Sequence, residues 1–194
     1  TVLDPIPGKQ VIGMSMVINR GKTIFIADTS ITELPVAEDL VGIARESASS
    51  VKALGFTPRV AFVSYSTFGN PMGERAEKVR EAVAMLDARD DIDFEYEGDI
   101  SVDVAMNPGH RLLYPFSRLT DAANVLVMPA IHSAAIATKI LTSMSRATVI
   151  GPILLGFEKP VQIASLGATV NDIVNLATFA AFDIDKLGHI KPAE

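Results

Sequence analysis

The chain has 194 residues, enough for one substantial core, and 48% of them are hydrophobic. Cys is absent, which excludes disulfides, thiolate metal sites and a cysteine nucleophile. Net charge is −6 with the two signs interleaved, and Trp is absent; a nucleic-acid surface would need a concentrated basic patch or a stacking platform. The longest apolar run, Ala122 to Ile131, is interrupted by Asn124 and Pro129 and is too short to span a membrane. No basic stretch leads into an apolar one at the N-terminus, so no signal peptide is read. A cytoplasmic chain is expected, with a small molecule or another protein surface as partner and neither nucleic acid nor membrane.

Two apolar runs, Val11 to Ile18 and Thr23 to Ala27, flank the turn Asn19-Arg20-Gly21-Lys22 and predict an antiparallel hairpin. A hairpin at the start, with nothing upstream to pack on, suggests a fragment of a larger fold. After Pro35, Val36, Leu40, Ile43, Ala44, Ala48, Val51 and Leu54 recur at helical spacing, with Glu38 and Asp39 at the dipole's positive end and Gly55 placed to stop the helix. Arg59 to Ser64 reads as a short strand, and Gly73 to Ala88 as a charged amphipathic helix. Phe94 to Glu97 predicts a strand, Val102 to Met106 a helical turn, and Asn107 to Tyr114 is the least regular stretch. Then follow strand Asn124 to Met128, helix Ile131 to Met144, strand Ala147 to Ile150 ending at Gly151-Pro152, strand Val161 to Ala164, and helix Val170 to Phe182. Apolar strands alternating with amphipathic helices predict an α/β fold, layered, with a largely parallel sheet flanked by helices.

Ligands of such sheets gather at loops beyond the C-terminal strand ends. Ser64 to Gly69 is hydroxyl-rich and leads to a helix N-terminus, so its amides and hydroxyls suit a phosphate; an ordinary Ser/Thr turn suits the same residues. In the Met128 to Ser133 loop, His132 suits an anion donor or a base, but a helix N-terminus disfavours the protonated ring, and a capping or packing role is the favoured reading. The loop from Ala164 to Asp172 contains Thr169 and Asp172 at capping-box spacing, which accounts for both without chemistry. His110, His132 and His189 stand apart from carboxylates at ligand spacing, so no metal site is read. No dinucleotide fingerprint, Walker loop or nucleophile elbow is present.

At these loops the sequence resembles the phosphate acetyl/butyryltransferase family. The likeness rests on Asn124-Val125 running to Pro129, Ile136, Lys139, Gly151-Pro152-Ile153-Leu154, Gly156, Lys159-Pro160-Val161, Ser165, Gly167 and Asp172-Ile173-Val174-Asn175. Ser66-Thr67-Phe68-Gly69 resembles the family's Ser-Thr-Lys-Gly loop. The resemblance runs from about Val11 to Phe182 and implies an isocitrate/isopropylmalate dehydrogenase-like fold of two α/β lobes with the active site between them. Residues 1–194 then form a transferase-like C-terminal domain fragment, with only the later part of that fold and most of the first lobe missing.

The departures from the family's pattern point away from turnover. Leu166 stands where the family has an Arg that clamps phosphate, and loss of such a preorganised donor costs about 10²–10³ in rate. Ala168 replaces a Cys, Ala130 an Asp, Ala135 an Asn and Phe68 a Lys, so no catalytic residue is assigned. With Tyr114 to Leu119 and Ser66 to Arg75, this pattern is similar to the transferase-like domain of the large bacterial malic enzymes.

That similarity implies a non-catalytic regulatory and oligomerisation domain, with acetyl-CoA or a related acyl-CoA as effector and self-association through transferase-like domains. The expected contacts to the acyl-CoA or its phosphates are Ser66, Thr67, Gly69, Lys139, Ser165, Gly167 and Asp172, with Arg111 and Arg118 as further charge partners. The fragment itself would need no cofactor. The parent would oxidatively decarboxylate malate to pyruvate and CO2 with NADP or NAD and Mg or Mn, on residues outside this chain. An active phosphate acetyltransferase and a ligand-free assembly module remain as alternatives.

Overall fold

The computed structural model describes residues 3–145 and 147–187. The hairpin forms as expected: β1 (Ile12–Asn19) and β2 (Lys22–Ala27) pair antiparallel, with Asn19 opposite Lys22. The two residues between them, Arg20 and Gly21, both have positive φ (49° and 76°), the turn whose twist matches flanking strands. The helix α1 (Ala37–Ala53) follows, its entry held by the Val36 amide donating to the Asp39 carboxylate at 2.9 Å. It ends at Gly55, which takes φ 87°, while the Phe56 amide reaches back to the Val51 carbonyl. The remaining elements are β3 (Arg59–Val63), α2 (Glu74–Asp87), β4 (Glu95–Ile100), α3 (Val102–Met106), β5 (Val125–Val127), α4 (Ile131–Met144), β6 (Thr148–Leu155) and α5 (Val170–Leu187). A single 3-10 turn, His110–Leu113, interrupts the irregular stretch.

One six-stranded sheet has the order β4-β3-β5-β2-β1-β6. The pairs β4–β3, β3–β5 and β5–β2 are parallel, while β1 is antiparallel to both β2 and β6. Five strands therefore run one way and β1 alone runs back, so the largely parallel sheet expected from the sequence is present. The hairpin is an integral part of this sheet. Its second strand lies mid-sheet, with Phe25, Ile26 and Ala27 fully buried beside β5.

Alternation along the strands separates two cores. Ile12, Met14, Phe25, Val60, Phe62, Val125 and Val127 face α1 and α2, meeting Leu40, Ile43, Val51, Val79 and Leu86. Val17, Ile26, Ala61, Val63 and Leu126 face the other way, meeting Val104 and Ala105 of α3 and Ala134 of α4. Each fully buried Leu, Ile or Phe side chain contributes about 1.5–3 kcal/mol relative to exposure. The α4 helix is the exception: Ala134 is its one fully buried residue, while Ile136, Ile140 and Met144 stand exposed.

Two strand expectations need correction. The β6 strand does not stop before Gly151-Pro152 but continues to Leu155. It can do so because it is an edge strand, where a missing proline N–H faces no partner. Its ladder with β1 skips a step between Met14 and Met16, where Gly151 and Pro152 oppose Ser15. Gly151 has φ 144°, and a Cβ there would meet the Met14 carbonyl and Ser15 Cα at 3.0 Å. The strand expected at Val161–Ala164 is only a single bridge, Ile153 to Gln162. There the Gln162 side chain replaces a backbone acceptor, taking the Leu154 amide at 3.1 Å.

The sheet's reversal at β1 is tied by the buried Asp28 carboxylate. It accepts the amides of Gly13 (2.9 Å), Ser30 (2.8 Å) and Thr32 (2.7 Å), and Ile31 reaches both oxygens. Removing the acceptor leaves these donors without partners, each worth about 1–3 kcal/mol when buried. Asp28→Ala is therefore expected to lower unfolding free energy in urea by about 3 kcal/mol, and Asp28→Asn by less, because one oxygen remains.

Candidate functional site

The residues expected to meet the ligand separate into two groups. Ser66, Thr67 and Gly69 follow the C-terminal end of β3. Thr67 and Asn70 exchange backbone hydrogen bonds (3.0 and 3.2 Å) across a tight turn at Phe68 and Gly69, whose φ angles are 50° and 85°. The backbone donors of this loop already have partners. The Phe68 amide donates to the Asp99 carbonyl at 2.7 Å, and the Gly69 amide to the Asp99 carboxylate at 3.0 Å. Asp99 is fully buried and also receives Arg80 at 3.2 Å. Thr67 Oγ1 donates to Ser101 Oγ at 2.9 Å and accepts the Ser101 amide at 3.1 Å. Ser66 Oγ is buried without a partner among the described residues. Phe68 packs its ring against Tyr114 and Phe116, at 5.2 and 4.8 Å between centroids.

The second group lies beside the first half of β6. Lys139 and Thr142 of α4, Ser165 and Ala168 of the following loop, and Asp172 and Asn175 of α5 line a cavity of about 480 Å³. Thr148 to Gly151 form its back wall. Both Lys139 and Ser165 are exposed, and their side chains have no hydrogen-bond or ion-pair partner among the described residues, while the Ser165 carbonyl accepts the Ala168 amide at 3.0 Å. Gly167 is exposed, with open space around it, and does not line the cavity. The capping box is present: Thr169 N–H donates to Asp172 Oδ2 at 2.8 Å, and the Asp172 N–H reaches Thr169 Oγ1 at 3.3 Å. The Thr169 backbone, then its hydroxyl, hold the Asp172 carboxyl below its ordinary range.

These groups do not converge. Between β3 and β6 lie β5, β2 and β1, four spacings of about 4.8 Å, or roughly 19 Å. Sequence order also missed several participants. Asp99, in β4, and Ser101, just after it, lie beyond Glu97, where the strand expected from the sequence ends. Thr142 and Asn175 were overlooked too, although each lies three residues beyond a named one and so on the same helix face.

Other expected charges have structural partners. Arg118 binds both Asp87 and Glu97, the latter at 3.3 Å, and its guanidinium lies 4.6 Å over the Tyr96 ring. Its backbone amide also donates to the buried Glu97 at 2.7 Å. Desolvation lowers the Arg118 pKa, but bonds to Asp87 and Glu97 outweigh it and raise the net value. His110 contacts the Asp103 carbonyl at 3.1 Å and its carboxylate at 3.7 Å, while His132 is exposed. The Arg111 side chain and His189 lie outside the described residues.

This fold is similar to that of solved phosphotransacetylases. A phosphotransacetylase from Streptococcus pyogenes superimposes with a TM-score of 0.88 at 29% identity, covering 95% of this chain and 57% of that one. The chain matches the phosphate acetyl/butaryl transferase family over residues 1–181 and belongs to it. Among individual relatives, the NADP-dependent malic enzyme of Rhizobium meliloti (strain 1021) is 53% identical over 181 residues. That alignment covers 93% of this chain but 24% of the relative. The phosphate acetyltransferase of Buchnera aphidicola subsp. Acyrthosiphon pisum is 39% identical over 154 residues, covering 79% of this chain and 22% of the relative. The chain thus spans about a quarter of the length of these relatives.

Two outcomes follow from this geometry. The Asp172 cap favours the carboxylate, so its stabilisation is complete above the unfolded pKa of about 3.9. It is lost as pH falls through the depressed folded value, and carboxyl carbon shifts of Asp172 in an NMR titration should show that midpoint below the ordinary Asp range. Arg118→Ala strips the buried Glu97 of its guanidinium, at a cost of about 1–3 kcal/mol. Limited proteolysis should then cut between residues 107 and 117 before any other site.

Proposed function

We propose that this chain is a non-catalytic, acyl-CoA-sensing and assembly domain of a malic-enzyme-type protein. The observation that carries this reading is the cavity between α4, β6 and α5, which keeps binding groups but lacks a cation on its catalytic loop. Leu166 projects fully into solvent, and a leucine can neither clamp phosphate nor stabilise a charged thioester intermediate. Lys139, Ser165, Thr148 and Asn175 can still hold the amides and anionic groups of an acyl-CoA without turning it over. Asp172 keeps Thr169 and the start of α5 in place beneath them.

The Ser66 loop carries less of this proposal, because its Phe68 and Gly69 amides are engaged by Asp99. What it offers is an aromatic surface at Tyr65 and Phe116, because the Ser66 hydroxyl is buried. Assembly is supported by the apolar residues left exposed on α4 and α5, among them Ile140, Met144, Ile173 and Val174. The nicotinamide cofactor, divalent cation and malate of the parent reaction belong, on this proposal, to residues outside these 194.

Acetyl-CoA is titrated calorimetrically into the full-length parent, then into a parent without residues 1–194. Saturable binding should disappear with the domain, and Lys139→Gln with Ser165→Ala should weaken it by about tenfold or more. CoA release from acetyl-CoA should show no dependence on phosphate. Phosphate-dependent release would make the domain an active transferase, and unchanged affinity in both variants would leave assembly as its role.

A further inference from the structure

A second cavity, sharing no residue with the one above, lies between α1, α5 and the second half of β6. Its volume is about 250 Å³. Ile153 of β6 forms a buried floor, and Leu54 and Phe179 wall it as extensions of the main core. The rim is polar and asymmetric. On one side Lys9 is neutralised by Glu46 at 3.6 Å. On the other, Lys159 is exposed and has no acidic partner among the described residues. The half-buried Ser50 hydroxyl on α1 also has no hydrogen-bond partner among them.

The combination selects a particular chemistry. An apolar floor gives nothing to a free inorganic anion, which would lose hydration without compensation. It does favour an alkyl chain, each buried methylene improving affinity by about fourfold. One unneutralised ammonium at the mouth, with a hydroxyl donor nearby, suits a single negative end group. At about 30 Å³ for each water-sized group, the space holds about eight non-hydrogen atoms, the number in a six-carbon carboxylate.

We infer that this cavity binds a short-chain aliphatic monocarboxylate, with its alkyl tail between Leu54 and Phe179 and its carboxylate toward Lys159 and Ser50. The site uses none of the acyl-CoA contacts proposed above and stands or falls separately from them.

The test is methyl NMR of this chain titrated with hexanoate and, in parallel, with hexan-1-ol. Hexanoate should shift the methyl signals of Ile6, Leu54 and Ile153 saturably, leaving Ile150 and Leu176 of the other cavity in place. Hexan-1-ol should bind about fivefold more weakly or worse, the worth of one partly exposed charge contact. Lys159→Gln, a surface change that keeps the fold, should bring hexanoate down to the affinity of the alcohol. Ala53→Phe, which fills the wall, should abolish both while the remaining methyl spectrum stays dispersed. Absence of saturable shifts at Ile153, or shifts centred on Ile150 and Leu176, overturns the site. Equal affinity for acid and alcohol, or hexanoate binding untouched by Lys159→Gln, overturns the carboxylate assignment.

Discussion

The carboxylate of Asp28 sits where the chain leaves β2, and it organises more of the molecule than any other single group. It binds the Gly13 amide of the reversed strand and the amides of Ser30, Ile31 and Thr32 that lead toward α1. Such a group has few alternatives once buried, since an unpaired carboxylate or four unpaired amides would each be costly. The reversed strand β1, the central strand β2 and the lead into the first helix are therefore fixed by one acceptor. Both cavities depend on that arrangement, because each is built against β6, and β6 pairs only with β1 in the main sheet.

A second constraint shapes the outer edge. Gly151 and Pro152 produce an irregular step that lets β6 continue instead of ending. The first half of β6 then backs the cavity containing Lys139 and Ser165, and the second half floors the smaller one containing Lys159. Only glycine fits beside the β1 backbone at this step, so the division of one strand between two cavities rests on a side chain that is absent. Across the sheet, the buried Asp99, paired with the half-buried Arg80, performs a comparable task for the Ser66 loop. It uses that loop's amides for its own architecture, while Ser101 engages the Thr67 hydroxyl and the Ser66 hydroxyl is buried.

The apolar surface of this chain is unevenly distributed. The faces of the sheet are well covered, yet Ile136, Ile140, Met144, Leu166, Val170 and Ile173 remain exposed together on α4, α5 and their connecting loop. The other end carries Leu112, Leu113 and Phe116 on the stretch that Arg118 fastens to Glu97 and Asp87. Apolar residues grouped in this way mark contact surfaces more often than solvent faces. They adjoin the cavity lined by Lys139, Ser165 and Asn175.

The sequence by itself determined what local periodicity and chain stiffness control. The hairpin turn at Arg20-Gly21, the stop at Gly55, the Thr169–Asp172 cap and the alternation of strand and helix depend on neighbours a few residues apart, and all were legible. The family could be read from the Gly-Pro-Ile-Leu and Asp-Ile-Val-Asn blocks for the same reason, as short runs in fixed order. Strand order, the central place of β2 and the passage of β6 through Pro152 depend on which edge meets which, and no local pattern encodes that. The site residues were likewise legible as loops but not as a constellation. Only tertiary pairing decided that β5, β2 and β1 would stand between Ser66 and Ser165, and that Asp99 would claim the amides offered to a phosphate.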